Sequence, residues 1–293
     1  MKIITFILIL WVAILPNVRA QVAAVTVNVS LDQEQFLSNE ELRVAVRITN
    51  RSGQTLKFGK ENDWLTFTVE ARDQYVVSQL SDVPVAGEFS LESSESGTKR
   101  VNITPHFDFR QSGRYQITAT VKIPQWGKDI ASRPVVFDIV TPTKLKEFDF
   151  GVPTTATNAA PEMRKYILQQ AIYLKQMRLY LRVTDSTGTT VFRVFPIAPM
   201  ISFSKPEAQV DKESNLHVLH QTYSHSFNYS VINPDGNVIQ QRTYDYTSTR
   251  PRLDTDSDGK IAVVGGALRM TANDLQKATA AQLPAQDAPS KKP

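Results

Sequence analysis

The sequence predicts an all-β protein, with an antiparallel sandwich followed by an antiparallel meander domain built from repeats of about 45 residues. Two observations carry this. In the first half apolar residues recur at every second position, as a half-buried strand requires, and turn residues interrupt them every ten or so positions. In the second half the segment Ser204–Leu219 returns over Thr249–Val264 at a constant offset of 45. The chain has no cysteine, so its domains must stand on their cores without disulfides.

Residues 1–20 carry one early lysine, Lys2, an apolar run from Ile3 to Leu15, and small or short residues at Val18 and Ala20. This reads as an export signal cleaved between Ala20 and Gln21. The run of about thirteen residues is shorter than the roughly twenty a membrane-spanning helix needs. The expected location is therefore periplasmic or extracellular, with no membrane span after processing. Lys and Arg number 33 against 29 Asp and Glu; removing Lys2 and Arg19 leaves 31 − 29 = +2. No stripe of basic residues interleaved with aromatics accompanies that charge, so nucleic acid is not an expected partner.

The first domain is expected over residues 21–142. Val25, Val27, Val29 and Leu31 alternate with polar residues, as do Leu42, Val44, Val46 and Ile48, before the turn residues Asn50-Arg51-Ser52-Gly53. Further strands are expected at Leu65–Ala71, Phe89–Glu92, Arg100–Thr104, Gly113–Ile123 and Val135–Val140. The stretch Ser112–Val121 places Gly113-x-Tyr115 at a strand entrance, followed by Ile117, Ala119 and Val121. It resembles the tyrosine-corner strand of immunoglobulin-like domains, whose tyrosine hydroxyl binds upstream backbone. Among exported bacterial modules the pattern is similar to the macroglobulin-like and proteinase-inhibitor-like immunoglobulin folds. That likeness implies a fold and no particular activity.

Residues 143–161 shift to Pro, Thr and Ala and read as a partly docked linker. The repeat domain is expected over 162–271. At its start, residues 162–177 have a helical apolar face (Met163, Ile167, Ala171, Leu174) but also alternate as a strand (Tyr166, Leu168, Gln170, Ile172, Leu174), and a strand is expected. In the repeat, Pro206 meets Pro251, Asp211 meets Asp256, and Leu216 meets Ile261. The intervening hairpins also correspond, with Asp185 and Gly188 matching Asn233 and Gly236. Each unit resembles a β-propeller blade, although too few units fit for a closed propeller. A meander with unclosed edges is expected, and those edges make a homo-oligomer possible. Residues 272–293, rich in Ala, Gln, Pro and Lys, are expected to be disordered.

Asp254, Asp256 and Asp258 have the spacing of a calcium loop, but position 12 is Gly265 instead of the bidentate glutamate. The matching segment Gln209–Asn215 carries Lys212, so a turn is expected at both places, with calcium a weak candidate. His217, His220 and His225 cluster in sequence, yet on a strand His217 and His220 face opposite sides, and no metal site is expected. Neither a nucleophile elbow nor a phosphate loop is present, and no cofactor is implied. Arg178, Tyr180, Arg182, Arg193, Tyr229 and Tyr244 are residue types that dominate binding hot spots, and they are the expected binding residues on an Arg/Tyr-rich sheet face. The function expected is a non-enzymatic exported module binding protein or carbohydrate. The alternatives are a hydrolase or protease inhibitor with dispersed loop residues, or a structural component of the cell envelope.

Overall fold

The computed structural model describes residues 24–72, 76–152 and 162–270, whose regular secondary structure is almost all antiparallel β-sheet. The expected leader, its cleavage point at Ala20 and Gln21, and the expected disordered tail lie outside the described residues. Ten strands form the first half: β1 (Val25–Leu31), β2 (Gln35–Leu37), β3 (Arg43–Asn50), β4 (Leu56–Phe58), β5 (Leu65–Ala71), β6 (Phe89–Leu91), β7 (Ser96–Asn102), β8 (Gly113–Ile123), β9 (Lys128–Ala131) and β10 (Val135–Val140). One sheet has the order β1-β3-β7, another runs β2-β10-β8-β5 with β9 added to β8, and β4 pairs with β6 as a two-stranded sheet. β2 and β10 pair in parallel. The first two sheets turn their alternate apolar residues into one core, where Val44, Val46 and Ile48 of β3 meet Ile117, Ala119 and Val121 of β8. The Tyr115 hydroxyl donates to the Gln111 carbonyl at 2.7 Å, and its ring stacks on Phe137. The strand expected at Arg100–Thr104 lies earlier, as β7, because Pro105 sits in a short 3-10 turn over Thr104–His106.

The second half is formed by β11 (Thr143–Val152), β12 (Glu162–Tyr173), β13 (Gln176–Asp185), β14 (Val191–Pro199), β15 (Glu207–Val210), β16 (Leu216–Tyr223), β17 (Ser226–Ile232), β18 (Val238–Asp245), β19 (Arg252–Thr255), β20 (Ile261–Val264) and β21 (Ala267–Arg269). The expected linker is corrected here. Its first ten residues are β11, which pairs with β12 along its whole length and buries Phe150 stacked on Tyr166 at 4.0 Å. Residues 153–161 lie outside the described residues. Residues 162–173 are strand, as their alternation predicts, and the chain reverses at Leu174 with a positive φ of 56°.

Two sheets, β11-β12-β13-β14 and β15-β16-β17-β18-β21, enclose a core of Tyr166, Leu168, Leu179, Leu181, Val183, Leu216, Val218 and Ile232. The second of these sheets has its other face covered as well. The hairpin β19–β20 lies over it, and Leu253 and Ile261 pack against Leu219, Phe227, Tyr229 and Val231. The two halves meet where Leu37 of β2 packs on Ala171, Tyr180 and Val194. At this junction the Leu174 N–H donates to Gln35 Oε1 at 2.6 Å. Glu40 is buried there too, accepting from Gln33 and the Leu37 N–H. Burial raises its pKa, with those bonds and the Arg178 charge opposing.

Two stability predictions follow from this packing. Tyr180→Ala empties a fully buried ring site between the halves, and chemical denaturation will show a loss of about 3 kcal/mol. His220 is fully buried with its ring between the sheets, and neither ring nitrogen has a well-formed hydrogen bond. Burial lowers its pKa to about 4, although the Pro199 carbonyl offsets part of the effect. The folded state therefore keeps His220 neutral while the unfolded chain takes up a proton below about pH 6.5. Stability falls as pH drops from 6.5 toward 4, by up to roughly 3 kcal/mol from this residue. Denaturant midpoints for His220→Leu across that range will be flatter with pH than those of the native sequence.

Candidate functional site

The repeat read from the sequence builds a groove on the second half. β15 and β19 begin 45 residues apart, as do β16 and β20, so the two segments fold as the same strand–turn–strand hairpin. In one turn Asp211 Oδ1 accepts the N–H groups of Glu213 and Asn215, at 2.9 and 2.8 Å. In the other Asp256 Oδ1 accepts those of Asp258 and Lys260, at 3.0 and 2.8 Å. Asn233 does the same for Asp235 and Asn237. An Asx side chain that closes its own turn needs no cation to order it. Gly259 takes the positive φ this turn requires, at 78°; Ser214 adopts 65° at the equivalent place, which is why glycine is dispensable there.

The two turns touch. The Lys212 ammonium donates to the Asp258 carbonyl at 2.6 Å, and a side chain at Gly259 would collide with it. Gln209 and Glu207 of β15 receive hydrogen bonds from Thr255 and the Leu253 N–H of β19. Between this hairpin and the outer face of β16–β18 runs a groove of about 660 Å³. Its floor follows from strand parity. Val231 pairs with Gln240, Tyr229 with Arg242 and Phe227 with Tyr244, so these side chains share one face, with His217 opposite Val231 on β16.

At one end of the groove three side chains form a relay. His217 Nε2 lies 3.0 Å from Asp211 Oδ2, and His217 Nδ1 lies 2.7 Å from the Tyr229 hydroxyl. With Asp211 ionised, Nε2–H donates to the carboxylate, which leaves Nδ1 to meet the Tyr229 hydroxyl. Burial alone would raise the pKa of Asp211, but hydrogen bonds from His217 and Asn215 hold it below the usual carboxylate value. Burial, then the neighbouring Tyr244 and Asp211, push the Tyr229 hydroxyl up to about 12, against the opposing Arg242 charge. Tyr229 therefore stays a neutral phenol near neutral pH. The rings of Tyr229 and Tyr244 meet edge to face, 6.3 Å between centroids.

The expected binding residues separate into three places. Tyr229 and Tyr244 lie in the groove. Arg193 braces the two sheets of the second half by donating to Asn237 Oδ1. Arg178, Tyr180 and Arg182 belong to the face that meets the first half, and the expectation of an open sheet face there is corrected. Tyr180 is 1% exposed, the Arg178 guanidinium stacks 3.6 Å over the Tyr173 ring, and burial lowers the pKa of Arg182. The first sandwich covers this face, something parity along β13 cannot reveal. His217 and His220 face opposite sides, as strand geometry requires, and His225 lies apart beside Tyr246. Among the described residues no group of three His, Cys, Asp or Glu side chains could hold a metal ion. Sequence reasoning left Gln240, Arg242 and Lys260 out of the site; the i, i+2 spacing of Gln240, Arg242 and Tyr244 on one strand was the available signal.

No protein-family model matches the chain, and no curated protein matches it. Among solved structures it is similar to Spo0M, a sporulation control protein from Bacillus subtilis, with 9% identity, 55% of this chain and 80% of that chain covered, and a TM-score of 0.30. A likeness this slight carries no argument about fold or function.

The acidic turn yields a direct prediction. Millimolar calcium will leave the thermal unfolding midpoint unchanged, whereas Asp256→Ala, which strips two backbone donors of their acceptor, will destabilise by about 1 kcal/mol. A calcium-dependent rise in the midpoint would overturn the account of the turn as self-closed.

Proposed function

We propose that this chain is an exported, non-enzymatic binding module that takes a protein or carbohydrate ligand in the groove between the β19–β20 hairpin and the outer face of β16–β18. The leader-like first twenty residues support export, to the periplasm or the cell exterior. The first half, with its tyrosine-corner contact at Tyr115, fits an immunoglobulin-like spacer. Among the described residues no helix is long and apolar enough to cross a membrane.

The observation that carries the reading is how His217 is spent. Both of its ring nitrogens are engaged, one by Asp211 and one by Tyr229, so the three side chains hold one another in place before any ligand arrives. Asp211 is likewise occupied by His217, Asn215 and two backbone N–H groups. Side chains fixed in this way suit recognition, because their ordering cost is met during folding instead of at binding. Around them Tyr244, Gln240, Arg242 and Lys260 supply the aromatic surface and donors of a polar binding site.

Val263 lines the groove, half-buried, on the face of β20 that Ile261 also turns toward the sheet, so Val263→Trp will fill the groove from the hairpin side with the relay left intact. Arrays of glycans and of extracellular-type peptides probed with the native chain and with Val263→Trp will show ligands captured only by the native chain. Identical capture by both would remove the groove from the function, and release of cleaved product during incubation would favour the hydrolase alternative.

A further inference from the structure

Arg242 stands in the middle of the groove floor, between Gln240 and Tyr244 on the same face of β18. With the Gln240 amide turned so that its oxygen meets the guanidinium, that oxygen accepts from Arg242 Nε at 2.8 Å and from Nη2 at 3.0 Å. The arginine is thus held in place by a neutral partner. An amide orients a guanidinium without cancelling its charge, and the remaining N–H groups stay available in the fork geometry that matches a carboxylate. Among the described residues no carboxylate forms an ion pair with Arg242 or with Lys260, the second cation on the groove wall. Lys212, the third, spends its ammonium on the Asp258 carbonyl. Tyr229 and Arg242 are directly paired across β17 and β18, so the cation and the fixed hydroxyl rise from neighbouring positions on one face and can serve one ligand group.

Around this positive centre the rim is acidic. Glu213 and Asp258 line the same groove, and their carboxylates accept hydrogen bonds but repel a second negative charge brought near them. A ligand that fits both features has one carboxylate per unit and hydroxyls on either side of it. We infer that the groove binds an acidic polysaccharide built from uronic acid units, with Arg242 gripping the sugar carboxylate, Tyr229 and Lys260 beside it, and the rim carboxylates accepting from sugar hydroxyls. A run of acidic amino acids fits less well, because it also brings a carboxylate per unit but lacks the hydroxyl donors that Glu213 and Asp258 would accept from. This inference rests on the groove being the binding site.

The test is calorimetric titration with short oligomers of galacturonate, guluronate and glucuronate, with their methyl esters as neutral isosteres, and with poly-glutamate. The native chain will bind at least one uronate oligomer, more weakly as salt is raised, and its methyl ester at least tenfold more weakly. Arg242→Gln will weaken uronate binding about tenfold or more, the loss of a charge-assisted pair, and will change ester binding less than twofold. Circular dichroism and thermal melting will show that Arg242→Gln is folded. Equal binding of acid and ester, or no effect of Arg242→Gln, overturns the carboxylate inference and leaves the groove reading standing. Tighter binding of poly-glutamate than of any uronate overturns the sugar assignment. Absence of any uronate binding also overturns it, and uronate binding that survives Val263→Trp overturns the inference together with the groove.

Discussion

One sheet of the second half is buried on both faces, and much of the molecule answers to that constraint. β16 and β17 have their inner face against β12 and β13 and their outer face under the β19–β20 hairpin. Every residue of Leu216–His220 and of Ser226–Ile232 is consequently buried, polar ones included. A strand closed off on two sides must satisfy each polar side chain it carries. Ser230 donates to Asn228 at 2.8 Å, and His217 finds Asp211 and Tyr229. His220 is the exception, left without a well-formed partner and kept neutral by its surroundings.

The same burial explains how a site arises in a protein without reactive motifs. The hairpin that covers the outer face is a copy of the one that begins the sheet, and it crosses only part of that face. Leu253 and Ile261 seal one side; the rest of β17 and β18 stays open as a groove. Backbone turns closed by Asp211 and Asp256 hold the two hairpins at a fixed separation, and Lys212 ties one turn to the other. In this arrangement Asp254 and Asp256, two of the carboxylates that resemble a cation loop, accept backbone N–H groups of their own turn. The cation nearest the third, Asp258, is Lys212, bound to its backbone carbonyl.

The junction between the halves shows the opposite use of Arg and Tyr. Tyr180 and Arg178 have the composition of a binding surface, but Leu37, Val140 and the buried Glu40 press against them. Aromatic and guanidinium groups cover large areas with few rotatable bonds, which suits a permanent contact within a chain as well as a transient one between chains. Composition alone does not separate the two.

By itself the sequence determined the strand content, the alternating cores of β1, β3 and β8, the repeat offset, and the closure of the acidic turn by its own side chains. These are local: alternation, turn chemistry and self-similarity act over a few residues, and tertiary contacts had only to agree with them. It left unread the short strands β2, β4 and β9, whose three or four residues are too few to show a period, and β11, whose mixed composition becomes strand because β12 offers a full-length partner. Tertiary structure alone decided which faces stayed open. Tyr180 and Tyr229 are the same residue type on neighbouring sheets. One is sealed by the first sandwich and the other borders the groove, because exposure depends on what packs from elsewhere in the chain, and parity along a strand carries no record of that.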